Sequence, residues 1–174
     1  MLLLLLHVGD EHFALDSRHI VEITPLVLLK KLTHAPSHIA GLFNYRGQLV
    51  PVIDLGLLLQ GHPCATHLST RIILIYPITA PIPTDPTIAA TDAAILGSNK
   101  ALDQQTAPLF GLIAERVMET ISWSLSTQVG PAMNHQAAPY LGDLIVDQQI
   151  IIQYLQVEHL LPYIQNSSLS PGSK

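Results

Sequence analysis

The chain has 174 residues, of which 48% are hydrophobic and 12% charged, and its formal net charge is −5 at pH 7. This composition predicts one domain, or two small lobes that share a core, with ample apolar surface to bury. The acidic balance and the scattered lysines and arginines argue against an electrostatic nucleic-acid binder and against a polybasic membrane-binding patch.

The N-terminal run of leucines predicts a buried first strand. It lacks a preceding basic region, and His7–Glu11 ends it after five leucines, whereas a membrane span needs about 20 apolar residues. The single cysteine, Cys64, excludes an internal disulfide and fits a reducing compartment. We therefore expect a cytoplasmic protein without direct membrane insertion.

Short apolar runs separated by turn signals predict an all-β protein. A helix capped by Asp16 or Ser17 is expected to run through Ile23, and a second short helix to cover Val157–Leu161. The predicted strands are Leu2–Val8, Glu11–Leu15, Leu26–Leu32, Ile39–Tyr45, Leu49–Ile53, Ile72–Tyr76, Leu109–Ala114, Arg116–Trp123, Leu144–Val146 and Ile150–Leu155.

Two segments break this pattern. Residues 77–108 are rich in proline, alanine and threonine and almost uncharged, which predicts an extended, flexible insertion between two strands. Residues 165–174 are polar and contain Pro171-Gly172, which predicts a disordered tail.

The segment Ile39–Ile53 predicts a β-hairpin, because two apolar runs flank a turn at Asn44-Tyr45-Arg46-Gly47. Gly47 supplies the backbone angle that a tight turn needs, and Arg46 is presented at the tip, which suits recognition better than catalysis. Pro51 cannot donate a ladder hydrogen bond, so its strand is expected at an edge or a bulge. Such an edge offers a docking site for a partner, or the proline serves only to prevent aggregation.

The sequence contains no phosphate-binding loop, dinucleotide fingerprint or nucleophile elbow, so we expect no enzyme activity and no cofactor. Asp54 and Glu115 are the carboxylates of most interest, and Asp54 is expected to cap the chain reversal that follows it. His62, Cys64 and His67 are potential metal ligands within one short loop. A fourth ligand is missing apart from the distant His135, so a solvated loop is favoured over a metal site.

The hairpin sequence also resembles a known family. From Pro36 to Leu55 it reads P-x-x-I-x-G-(apolar)2-N-x-R-G-x-(apolar)2-P-V-(apolar)-D-L, which is similar to the signature of the CheW family, the coupling proteins of chemotaxis-type signalling arrays. Further blocks resemble that family in the same order. They are Phe13–Asp16, Ile20–Ile23, Thr70–Ile75, Gly111–Val117, Tyr140–Gly142, Ile150–Leu155 and Val157–Leu161.

The resemblance implies a CheW-like domain over residues 1–164, built from two small five-stranded β-barrel lobes of SH3-like or OB-like type with short helices. It implies a non-enzymatic adaptor that couples the cytoplasmic helical tips of methyl-accepting-type chemoreceptors to the regulatory domain of a CheA-type histidine kinase, in membrane-associated receptor arrays. A docking module for another output protein, such as a response regulator or cyclase in surface sensing or pilus control, is the alternative.

Carried over position by position, the resemblance places Ile20 and Glu22 near a receptor-facing groove, and Asn44 and Arg46 at a turn linked to signalling contacts. The planar fork of Arg46 suits a partner carboxylate, while an internal salt bridge that stiffens the hairpin is the alternative. The positions expected to be architectural are Gly41, Gly47, Pro51, Asp54 and Leu55.

Three departures from the family pattern indicate a divergent member that serves a pathway other than flagellar steering. Gly56 stands where many relatives carry arginine or another polar residue, and Glu115 stands where aspartate is common. The third departure is the proline-rich insertion.

Overall fold

The computed structural model describes residues 1–76, 109–123, 129–130, 138–147, 149–160 and 162. The predicted insertion at 77–108, the predicted tail at 165–174 and His135 lie outside these residues. The strands are β1 Leu2–Val8, β2 Glu11–Asp16, β3 Ile20–Pro25, β4 Ile39–Tyr45, β5 Gln48–Asp54, β6 Arg71–Ile75, β7 Phe110–Ala114, β8 Arg116–Ser122, β9 Val129–Gly130, β10 Leu141–Asp147 and β11 Ile150–Leu155. A short helix, α1, covers Leu55–Leu59, and residues 157–160 are also helical.

These strands form two sheets, which confirms the mostly β class. One sheet has the order β8-β1-β2-β11-β10-β9 and the other has the order β3-β6-β7-β5-β4. One continuous apolar core joins them, since buried residues of the first sheet such as Leu6 and Phe13 belong to the same cluster as Ile72 and Leu112 of the second. The chain crosses between the sheets at Glu115, the single residue that separates β7 from β8.

The strand pairing of the described residues does not show that either sheet closes into a barrel. Among the described residues, the end strands of each sheet are not laddered to each other, and the first sheet has six strands where five were expected. In the second sheet, the chain leaving β3 does reach β4 at one point, where Lys30 and Leu42 exchange backbone hydrogen bonds of 2.8 and 2.9 Å. Gly41 permits this approach, because a Cβ there would lie 2.7 Å from the carbonyl oxygen of Lys30.

Every predicted strand except one is present within three residues of its expected bounds. The exception is Leu26–Leu32, which forms only the isolated bridge at Lys30. This prediction was wrong because apolar composition was taken for burial, whereas the Leu28 side chain is 98% exposed.

The predicted helix from Asp16 through Ile23 was also wrong. Asp16 does cap a turn, accepting a 3.0 Å hydrogen bond from the Arg18 amide, but the turn is a 3₁₀ helix over Ser17–His19 only. The chain then enters strand β3, whose first residues include the β-branched Ile20 and Val21. Branching at Cβ restricts side chains in a helix and favours the pleated conformation.

Strand β5 lies between β4 and β7, but at Pro51 it is paired on one side only. Pairing of β5 with β7 begins at Val52, one residue later. On the other side, Pro51 lies opposite Leu42, whose own amide and carbonyl bond to Lys30 instead. The missing N–H of the proline therefore leaves no ladder bond unmade.

No helix within the described ranges is both long enough and apolar enough to cross a membrane.

Candidate partner-binding site

The tip of the β4–β5 hairpin is a two-residue turn. Arg46 and Gly47 both have positive φ, at 51° and 88°, which is the arrangement of a type I′ hairpin turn. The Asn44 side chain accepts a 2.7 Å hydrogen bond from the Gly47 amide and so holds the turn from the side. A Cβ on Gly47 would touch nothing within 4 Å, so glycine is needed there for its backbone freedom.

A polar cluster of Glu22, Tyr45 and Arg46 lies beside this turn. Arg46 Nη2 donates to Glu22 Oε2 at 3.1 Å, and the Tyr45 hydroxyl donates to the same carboxylate oxygen. The hydrogen bond to Glu22 raises the pKa of Tyr45 above its usual value. The Arg46 guanidinium also lies 5.0 Å from the centre of the Tyr45 ring, within the range of a cation–π contact.

This cluster connects the two edges of the five-stranded sheet. Glu22 belongs to β3 and Tyr45 to β4, which are the first and last strands of that sheet. The side-chain bonds therefore span the same gap as the backbone bridge at Lys30. Although it is paired, Arg46 keeps 76% of its side chain exposed, and Glu22 keeps 39%.

The other candidate residues have internal roles that the contacts define. Ile20 is half-buried and packs against the shared core, where it lies opposite Ile75 of β6. Leu55 is fully buried. Asp54 is the N-cap of α1, and its carboxylate also accepts a 3.0 Å hydrogen bond from the Cys64 amide. The interpretation of Asp54 as a cap for the chain reversal agrees with this geometry.

Comparison with known proteins bears on this arrangement. Residues 2–79 match the model of the CheW-like domain family. The crystal structure of the scaffolding protein TtCheW from Thermoanaerobacter tengcongensis is similar with a TM-score of 0.68 and 18% sequence identity, over 91% of this chain and 86% of that one. The fold is CheW-like. A comparison with curated proteins gave no match.

The CheW-like match begins with β1 and ends just after β6. It therefore includes the hairpin and the Glu22–Tyr45–Arg46 cluster. Beyond residue 79 the likeness to CheW proteins rests on the fold alone, because the structural match covers 91% of this chain at 18% sequence identity.

Gly56, the first departure from the CheW pattern, has a packing explanation. A Cβ at this position would lie 2.5 Å from the His62 carbonyl oxygen and 2.6 Å from the Cys64 amide nitrogen. Both are backbone atoms of the loop that follows α1, so a side chain could not fit without moving that loop. In this chain the absence of a charge at Gly56 accompanies a close packing of helix and loop.

The potential metal ligands of the same loop do not converge among the described residues, where no group of three histidine, cysteine or acidic side chains is placed to hold a metal ion. Cys64 points inward, and its Sγ lies 3.5 Å from the Ile113 carbonyl oxygen. Burial, and secondarily the Asp54 charge, raise the pKa of this thiol to about 12. The thiol is therefore a poor nucleophile at neutral pH.

Sequence reasoning did not single out two residues that the structure connects to many others. Tyr45 completes the polar cluster, and His19 is buried with its ring nitrogens 3.0 Å from the Tyr76 carbonyl and from the Glu158 carboxylate. The partners of His19 lie 57 and 139 positions away in sequence. No local pattern could have indicated such pairings.

Proposed function

We propose that this protein is a non-enzymatic adaptor that couples the cytoplasmic tips of chemoreceptors to a CheA-type histidine kinase. The CheW-like fold supports an adaptor of chemotaxis-type signalling, and the match to the CheW-like domain model includes the hairpin. The observation that carries the proposal is the exposed guanidinium of Arg46 at the tip of a rigid turn. An arginine held in this way is a typical anchor for a partner carboxylate.

Arg46 is prepared for such a contact. Its side chain donates one hydrogen bond to Glu22, and no other described residue accepts from it. A guanidinium has five N–H donors, so most of the fork is available to a partner. The Tyr45 ring and the Glu22 carboxylate hold the side chain in place, which reduces the conformational entropy lost on binding.

A groove between helix α1 and the six-stranded sheet supports the receptor half of the proposal. An open cavity of about 480 Å³ lies between Leu59 of α1 and the face formed by β2, β10 and β11, where Phe13, Leu144 and Ile151 line it. Apolar side chains in an open groove suit the apolar face of an amphipathic helix. Ile20 and Glu22 do not line this cavity, so we assign Glu22 to the kinase-side contact together with Arg46.

The test separates a direct contact of Arg46 from a purely internal role. We expect Arg46→Glu to weaken binding to the kinase regulatory domain at least tenfold, because a hot-spot arginine contributes about 1.4 kcal/mol or more. The double variant Glu22→Arg/Arg46→Glu restores an internal ion pair of reversed order. If Arg46 contacts the partner, this double variant still binds the kinase regulatory domain weakly. If Arg46 only stabilises the hairpin through its ion pair with Glu22, the double variant regains wild-type binding.

Binding is measured by titration calorimetry, and coupling by kinase autophosphorylation with receptor-containing vesicles. Lys31→Glu is the matched control, since it makes the same charge change at another exposed position. Wild-type binding and kinase output in Arg46→Glu would contradict the proposal. Full rescue by the double variant would reassign Arg46 to the internal role.

A further inference from the structure

A row of basic side chains crosses three neighbouring strands of the six-stranded sheet, away from the hairpin. His7 of β1 lies opposite His12 of β2 on one side and opposite Arg116 of β8 on the other. Residues directly opposite each other on adjacent strands share a face of the sheet. The two imidazole rings are in edge contact, with centroids 4.1 Å apart.

This row lies where the chain crosses between the sheets. The Glu115 amide donates to the His7 carbonyl at 3.0 Å, which makes His7 a direct neighbour of the crossing. The Glu115 carboxylate accepts from the Gly9 amide at 3.2 Å and from the Ala65 amide at 2.8 Å. The Ser69 hydroxyl donates to the Glu115 carbonyl at 2.9 Å. Residue Glu115 thus ties a turn of one sheet to a loop of the other.

His7 is poorly placed to carry a charge. Its Nε2 atom is buried and has no hydrogen-bond partner among the described residues. A polar cavity of about 260 Å³ adjoins it, to which His67, Glu115 and Arg116 also contribute. Glu115 is the carboxylate of that lining, and its oxygens accept from backbone amides instead.

Burial, followed by the charges of His12 and Arg116, holds the pKa of His7 below its ordinary value of 6.5. The native state therefore binds fewer protons than the unfolded chain once the pH falls below about 6.5. The stabilisation that neutral His7 provides is complete above that pH. It is lost as the pH falls from there toward the lowered pKa of the folded state.

We propose that the row Arg116–His7–His12 is an acid-sensitive clasp at the junction of the two sheets. At neutral pH the uncharged His7 lets β8, β1 and β2 pair closely. On acidification, protonated His7 stands between the His12 ring and the Arg116 guanidinium, and repulsion from the Arg116 charge, together with the burial of the new charge, loosens the pairing of β1 with β8. The clasp gives the junction a response to pH that is separate from the partner contacts of Arg46.

The test is amide hydrogen exchange of the full chain at pH 7.5 and pH 5.5, with rates corrected for the intrinsic effect of pH. We expect protection of the Glu115 amide and of the β8 amides to fall severalfold and by no more than about tenfold, because pH 5.5 lies one unit below the ordinary pKa of histidine. Protection of the β6 amides, which pair with β3 and β7, serves as the internal reference and is expected to change less. Equal loss in β6 and β8 would mean global destabilisation and would overturn the clasp.

Single-residue variants test whether the row Arg116–His7–His12 causes this pH-dependent loss of protection. Arg116→Gln, at an exposed position, removes one repulsive charge and is expected to reduce the pH-dependent loss in part, because burial remains the larger cause of the lowered His7 pKa. His7→Gln is expected to abolish the loss. His62→Gln, at an exposed histidine of another loop, is the control and should respond like the wild type. A wild-type response in Arg116→Gln overturns the proposal even if His7→Gln fails to fold. His38 is a separate source of acid sensitivity, since burial lowers its pKa too, but it lies before β4 and should leave the β8 response unchanged.

Discussion

Replacing Asp54 by alanine is expected to lower the free energy of unfolding by about 3 kcal/mol, a large fraction of the stability of a domain of this size. The Asp54 carboxylate is buried and accepts hydrogen bonds from the amides of Gly56 at 2.9 Å, Leu57 at 3.3 Å and Cys64 at 3.0 Å. Loss of a helix N-cap costs about 1 kcal/mol. A buried amide left without its acceptor adds about 1–3 kcal/mol.

Urea denaturation followed by circular dichroism measures this change. Asp54→Asn is the matched control, because an amide oxygen can still accept from the same N–H groups, and we expect it to cost about 1 kcal/mol. If alanine and asparagine destabilise equally, the negative charge rather than the hydrogen bonds supports the loop. A loss below 1 kcal/mol for Asp54→Ala would contradict the assignment of Asp54 as a structural centre of this region.

The strands of this protein were largely predictable because their signals are local. Apolar runs of five to seven residues ended by glycine or a polar pair indicate strands whatever their neighbours are. The hairpin turn was equally clear, since Asn44 and Gly47 are each suited to one part of a tight turn. A cap at Asp16 or Ser17 was predicted for the same reason, and Asp16 is the cap, although its helix was predicted too long.

What the sequence could not indicate is which distant groups meet. Leu26–Leu32 has the composition of a strand, yet in the described structure it pairs with β4 only through the bridge between Lys30 and Leu42. The junction at Glu115 depends on amides of Gly9 and Ala65, which are 106 and 50 positions away. Such contacts follow from the topology of the whole chain, and no window of sequence contains them.

The candidate site was likewise predictable in some of its residues and not in the contacts between them. Family resemblance marked Glu22 and Arg46 as two separate contact positions. The structure joins them through a 3.1 Å ion pair, with Tyr45 as the third member. The two hypotheses for Arg46, partner contact and internal salt bridge, therefore describe two sides of one exposed side chain. The reversed-charge double variant is informative because it preserves the internal salt bridge and reverses the charge presented to a partner.

Gly56→Ala is expected to destabilise the protein by about 3 kcal/mol, against the direction that helix propensity predicts. Alanine in place of glycine within a helix ordinarily gains up to about 1 kcal/mol. Here the new Cβ would lie 2.5 Å from the His62 carbonyl oxygen and 2.6 Å from the Cys64 amide nitrogen, so the loop backbone must move. That movement strains the packing and weakens the bond between Cys64 and Asp54.

The buried thiol of Cys64 reports this movement directly, since it is the only cysteine of the chain. We expect a thiol reagent to label native Gly56→Ala at least tenfold faster than wild type, because displacement of the loop exposes the sulfur and lessens the burial that raises its pKa. Gly61→Ala is the matched control in the same loop: its φ of 78° strains an alanine by about 1 kcal/mol, but its Cβ would meet nothing within 4 Å. Labelling of Gly61→Ala should therefore stay near the wild-type rate. Equal labelling of the two variants would mean that general loosening of the loop, and not the close approach at Gly56, controls access to Cys64.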